Sequence, residues 1–181
     1  MAIAFFGSTR TVPTRNPGKK LLFMGQEIGQ REEWNNNSSV RWELLEFAVH
    51  RQLQTLAREL NRLYRANPAL YEVDFHYTGF EWIDFHDSEA SIIAFVRRAE
   101  NRADWLLFCC NFTPVVRYGY VFGVPEEGLY EEILNTDSEL FGGSNVGNGG
   151  LVSSRTIPRH NRKHSIAVTL PPLAVVAFRR K

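Results

Sequence analysis

The sequence predicts a mostly β protein in which a short strand, a polar loop and a long helix precede an antiparallel all-β module. Apolar residues recur at spacings of three and four between Val40 and Asn67, as one face of a helix demands. Beyond Asp74 the texture changes to roughly seven short β-rich runs separated by turn residues, the pattern of a sandwich or barrel. The 181 residues, 44% hydrophobic and 23% charged, fit one globular domain or a domain with an appendage. A compact fold of this length removes roughly 70% of the chain's surface from water, enough for a core without disulfide staples.

The first element is the run KKLLFMG, closed by Gly25, which suits a buried parallel strand. The polar stretch QEIGQREEWNNNSS that follows is a loop delivering Glu27, Arg31, Glu32 and Trp34 to the strand's C-terminal end. Ser38 or Ser39 is placed to cap the next helix, with Glu43 near its positive end. The helix runs from Trp42 to Asn67, with Trp42, Leu45, Val49, Leu53, Leu56, Leu60 and Leu63 on its apolar face. Pro68 stops it, since the residue before a proline is pushed out of the α region. The pattern lasts barely three heptads without ordered flanking charges, which argues against a coiled coil.

The expected strands are Phe80 to His86, Ala90 to Arg97, Asp104 to Asn111, Tyr118 to Phe122, Tyr130 to Leu134, Ser165 to Leu170 and Leu173 to Arg179. A turn at Asp87 and Ser88 joins the first two, and Asp137 to Ser154 is a Gly/Asn/Ser loop whose flexibility serves a long connection across the sandwich. Alternation places Trp82, Ile93, Phe95, Leu107, Phe108, Ile133, Val168, Val175 and Ala177 in the core. Trp42 and Trp105 belong inside by the same reasoning.

With 21 Lys+Arg against 20 Asp+Glu, no global field draws the chain to nucleic acid or to an anionic membrane. The longest apolar runs fall far short of the ~20 residues that span a bilayer, and the start lacks a secretory pattern. The expected location is cytoplasmic. Cys109 and Cys110 are adjacent in an apolar run, where a packing role fits better than a bridge.

Several strings are uncommon: PGKKLLFMGQEIGQREEWN, LNRLYRANPAL, GFEWID, NFTPVVRYGY, LNTDSELFGGSNVGN and HSIAVTLPPLAVVAF. In this order, from Pro17 to about Arg179, they resemble the C-terminal part of the bacterial 1,4-α-glucan (glycogen) branching enzymes of the alpha-amylase superfamily. The resemblance implies the last βα unit of a (β/α)8 barrel followed by an antiparallel C-terminal β-sandwich domain of alpha-amylase type. It divides the chain into an unmatched segment 1–16, a barrel remnant 17–73 (last strand, loop and helix) and an all-β domain 74–181. It also implies retaining transglycosylation, in which a carboxylate nucleophile takes a glucan segment from an α-1,4 bond and an acceptor 6-hydroxyl receives it, with a second carboxyl as acid/base. No segment here resembles the family's nucleophile or acid/base strands, so no catalytic residue is assigned and the isolated chain is expected to be inactive. No cofactor and no metal are implied; the implied partner is an α-glucan.

Glu27, just past a barrel-type strand, is a candidate for the rim of the glucan site, or else a loop carboxylate fixing the strand end. Arg31 supplies a hydrogen-bond fork and Trp34 a stacking face for sugar rings, although Trp34 packing the loop onto the helix is an equal alternative. His86-Asp87 reproduces a catalytic pair of the family but sits inside the β module, where a hairpin turn explains it. His160 and His164 lack the further ligands a zinc site requires. Arg155, Arg159, Arg162 and Lys163 read as a solvated loop, and the run Gly142 to Gly150 lacks the ending of a phosphate loop. Besides a piece of a branching enzyme, a non-catalytic carbohydrate-binding or structural module remains open. In either case the exposed strand Lys20 to Met24 is a candidate for self-association.

Overall fold

The computed structural model describes residue 20, residues 22–32 and residues 35–181. Among them the α-helix is α1 (Ala48–Ala66), followed by β1 (Phe80–Asp84), β2 (Ile92–Arg98), β3 (Trp105–Asn111), β4 (Arg117–Val124), β5 (Leu129–Asn135), β6 (Leu151–Ser153), β7 (His164–Leu170) and β8 (Val175–Arg180). Six strands form one sheet in the order β1-β2-β3-β8-β5-β6, and β4 pairs with β7 in a second. Every pairing is antiparallel.

The large sheet is covered on both faces. Phe95, Leu106, Phe108, Cys110, Val175 and Ala177 meet Leu56 and Leu60 of α1 and Leu70 just beyond it. On the opposite face Trp105, Leu107, Cys109, Val176 and Phe178 pack against Phe122, Val124, Ile166, Val168 and Leu170 of the β4-β7 pair. The sandwich expected from the sequence is therefore a six-plus-two arrangement with a helix as a third layer. This explains β3, where all seven residues from Trp105 to Asn111 are buried. Phe80, Phe95 and Phe108 stack across β1, β2 and β3 on the helix face, with ring centroids 5.1 and 5.2 Å apart. Cys109 and Cys110 are free and face opposite cores; burial pushes the Cys110 thiol up to about 12, which makes it inert packing.

α1 ends as its sequence dictates. Asn67 turns extended before Pro68, and its own carboxamide donates to the Leu63 carbonyl at 2.7 Å, closing the last turn. The start differs from expectation. Trp42–Glu46 is a separate 3-10 turn, and Phe47, at φ −94° and ψ 136°, breaks it from α1. The cause is Arg51, whose Nη1 donates to the carbonyls of Leu45 and Glu46 at 2.8 and 2.7 Å, the acceptors that a continuous helix would give to Val49 and His50. Ser38 and Ser39 cap nothing, because helical structure begins only at Trp42. Trp42 and Val49 are exposed in consequence.

Trp82 is 47% exposed rather than core: it lies on the edge strand β1, where Phe80, Phe85 and Phe95 contact it and solvent takes the rest. β6 falls inside the stretch expected to be loop. The strand expected from Lys20 to Met24 is absent at the described residues 20 and 22–24. Here the backbone turns instead, with Gln26 N–H donating to Phe23 O at 2.9 Å. Leu22 packs against the helix-side core. The strand edge that was to pair chains is thus not formed at these residues.

A buried ion cluster ties this segment to the sheet. Asp74 Oδ1 lies 2.7 Å from both Lys20 Nζ and Arg97 Nη2, all three side chains being nearly inaccessible. Lys20 also donates to the Leu70 carbonyl, and Arg97 Nε to the Gly79 carbonyl.

Candidate functional site

Two glycines in the left-handed region, Gly25 at φ 84° and Gly29 at φ 70°, bracket the 3-10 turn Gln26–Ile28. The turn is fixed from within and from α1. Gln30 N–H donates to Gly25 O at 3.0 Å, and Phe23 N–H to the Gln26 side chain at 2.9 Å. Ile28 is fully buried, and its carbonyl lies 2.6 Å from His50 Nδ1 on α1. Gly29 sits so close to the helix that a Cβ there would stand 2.6 Å from Leu53 Cδ2. Gln30 Oε1 then accepts from Arg41 N–H at 3.1 Å, and Arg41 pairs with Glu32 and Glu43.

On this rigid base Glu27 is half-buried and Arg31 exposed. Among the described residues neither makes a side-chain hydrogen bond or ion pair, and the structure does not bring the two together. Trp34 lies outside the described residues. The sequence reading missed His50 and Arg41, which hold the loop; His50 carries no local signal, since its role depends on a carbonyl 22 residues earlier.

The other constellations have structural employment. Asp87 accepts from Ala90 N–H at 2.9 Å and from the Tyr120 hydroxyl at 2.6 Å, a turn staple whose bond to Tyr120 holds its carboxyl below the ordinary value. His160, at φ 49° in the turn before β7, accepts from Gly123 N–H at 3.3 Å through Nδ1 and faces Asp84 Oδ2 at 3.3 Å through Nε2. His164 is in β7. Arg162 pairs with Glu81, which also receives Arg98. The glycine-rich stretch is hydrogen-bonded rather than loose. Asp137 accepts from Ser144 N–H, Ser144 Oγ and Val146 N–H, and Asn148 reaches both Glu132 and Thr169. Among the described residues, one shallow groove of about 570 Å³ lies between Glu72, His76 and Arg102, and another of about 490 Å³ between Asn148, Arg155 and Ala167. Neither includes Glu27 or Arg31.

Residues 82–181, from β1 to the end, match the family described as alpha amylase, C-terminal all-beta domain. The chain belongs to this family. The alpha-amylase C-terminal domain therefore accounts for the eight strands, with α1 and the Gly25–Gln30 turn lying before it. Curated relatives extend the match upstream. The 1,4-alpha-glucan branching enzyme GlgB of Aquifex aeolicus is 49% identical over 92% of this chain, that of Rubrobacter xylanophilus 51% over 91%, and that of Hydrogenovibrio crunogenus 52% over 93%. The chain spans about a quarter of these enzymes, 26%, 23% and 23% of their lengths. It corresponds to the portion carrying the C-terminal domain. Among solved structures, an alpha-amylase from H. orenii aligns with a TM-score of 0.48 at 18% identity, over 91% of this chain and 33% of that one.

Proposed function

We propose that this chain works as the C-terminal portion of an enzyme that transfers α-1,4-glucan segments to 6-hydroxyls, making the α-1,6 branches of glycogen. The observation that carries this reading is the identity of about half the residues to branching enzymes over nine-tenths of the chain, upstream turn and helix included. In this reading residues 17–73 complete a (β/α)8 barrel, whose other strands come from the preceding part of the enzyme. Residues 74–181 form the β domain packed beside it. The two carboxyls of the retaining double displacement, about 5–5.5 Å apart in such enzymes, come from the preceding part of the barrel. Residues 1–16 have no assigned part.

The Gly25–Gln30 turn supports a supporting role at the sugar site. Its backbone is fixed by His50 and Gln30, so Glu27 and Arg31 project from a base that does not need ordering on binding. Unpaired in the described structure, they are available to sugar hydroxyls, with Trp34 as a third member of the rim. The partner is an α-glucan and the location cytoplasmic, in keeping with two free, buried thiols. Incubating the 181-residue chain with amylose tests the division of labour. No α-1,6 linkage above a no-enzyme control is expected, and new branch points from a preparation free of host amylases would refute it.

A further inference from the structure

The β4-β7 sheet has an open seam. Antiparallel strands direct the N–H and C=O of alternate residues to opposite sides. On β7, those of Ser165 and Thr169 point away from β4, as their partners show. Ser165 exchanges both backbone bonds with Arg155, at 2.8 and 3.0 Å. Thr169 gives its N–H to the Asn148 carboxamide oxygen at 2.7 Å and takes that group's Nδ2 on its carbonyl at 3.0 Å. Ala167 stands between them, and alternation turns its N–H and C=O the same way.

The facing wall is β6. Extending the Arg155–Ser165 pairing by one rung would bring Ser153 opposite Ala167, but Arg155–Ser165 remains an isolated bridge because β6 departs to pair with β5. Ser154 N–H bonds Gly128 O, and Gly150 O accepts from Glu132 N–H, so alternation turns the backbone groups of Ser153 away from β5 and towards the seam. The divergence leaves the groove of about 490 Å³, with Ala167 and Ser153 on its walls, Arg155 and Asn148 along it, and Gly119 and Gly147 adding no side chains to obstruct it.

We infer that this seam binds a single sugar ring of a glucan chain, a site apart from the Gly25–Gln30 turn, and the inference rests on the glucan reading above. Ala167 on one wall and Ser153 on the other each offer one donor and one acceptor. A hydroxyl both donates and accepts, so adjacent ring hydroxyls match such a pair. Phosphate offers mainly acceptors and would meet two carbonyls. A peptide strand needs successive rungs, and Arg155 and Asn148 already occupy those on either side of Ala167. The Arg155 guanidinium adds a planar fork for hydroxyl oxygens, and the volume lies within the roughly 300–1,000 Å³ usual for small-molecule sites.

The test is a titration of the ¹⁵N-labelled 181-residue chain with maltoheptaose, and separately with sodium phosphate, following backbone amides. Saturable shifts of Ala167 and Ser153 with maltoheptaose are expected, weakened about tenfold in Arg155→Ala, the loss of one charged hydrogen bond. The wild-type shifts stand as a test even if the variant folds poorly. Shifts confined to residues 25–31 would overturn the seam while leaving the glucan reading intact. Shifts at Ala167 with phosphate in place of maltoheptaose, or none there with either, would also overturn it.

Discussion

Arg97 Nη2 and Asp74 Oδ1 meet at 2.7 Å with both side chains almost fully buried, joining the segment after α1 to the second strand of the large sheet. Burial alone would push the Asp74 carboxyl up, but hydrogen bonds from Lys20 and Arg97 outweigh it and hold the group below its ordinary value. A carboxyl depressed in the folded state contributes stability that is present above its unfolded pKa and is lost as pH falls through the folded one. Removing one partner strands the other charge. Asp74→Ala is expected to lower stability by about 3–5 kcal/mol near pH 7, with a smaller deficit below about pH 4, read by urea denaturation at the two pH values. An equal deficit at both would contradict the ionic account.

Asn148 holds the glycine-rich loop to two strands at once, donating to Glu132 and to the Thr169 carbonyl. Asn148→Asp replaces that donor with a second carboxylate beside Glu132, whose pKa burial already raises. The expected loss is about 2–3 kcal/mol at neutral pH, shrinking as the pair takes up a proton in acid. Thermal melts from pH 7 to pH 5 measure it, and a loss that grew in acid would sink the explanation.

His160 titrates against its surroundings. Burial lowers its pKa more than Asp84 raises it, and Nδ1 must stay unprotonated to accept from Gly123 N–H. Because the folded form takes up the proton at lower pH than the unfolded form, the histidine's contribution is complete above about pH 6.5 and is lost as pH falls below it. His160→Gln should flatten this part of the stability profile. A wild-type profile level from pH 7.5 to 5.5 would count against it.

Gly29→Ala forces a Cβ into Leu53 at a position with φ 70°. About 1–3 kcal/mol of strain is expected, released by detaching the Gly25–Gln30 turn from α1. Faster hydrogen exchange at Ile28 and Gln30, with unchanged protection of Phe108, is the signature; uniform protection would show that the turn tolerates the methyl.

What was legible in the sequence was what local pattern controls. The stop at Asn67 and Pro68 needs only backbone sterics, and β3 declares its burial on both faces through an unbroken run from Trp105 to Cys110. What was missed depends on partners distant in the chain or on side-chain reach. The break at Phe47 follows from Arg51 capturing two carbonyls. Trp82 looked like core because alternation marks the face of a strand but not its position at a sheet edge. The three residues of β6 are too few to show a period, and the order of the glycine-rich loop comes from Asp137 and Asn148 at its two ends. At the candidate site Glu27 and Arg31 were visible as types in a loop; their rigid base, set by His50, was not.

The most direct test of the central claim exchanges this chain for the matching quarter of the Aquifex aeolicus branching enzyme, to which it is 49% identical. The measurement is the number of α-1,6 linkages formed from amylose, by debranching and chain counting. A chimera retaining at least about a tenth of the parent's rate, with Glu27→Gln/Arg31→Ala in the exchanged part lowering kcat/KM by about tenfold or more, is the predicted result. A folded chimera that forms no branches, while the parent does under the same conditions, would contradict the assignment.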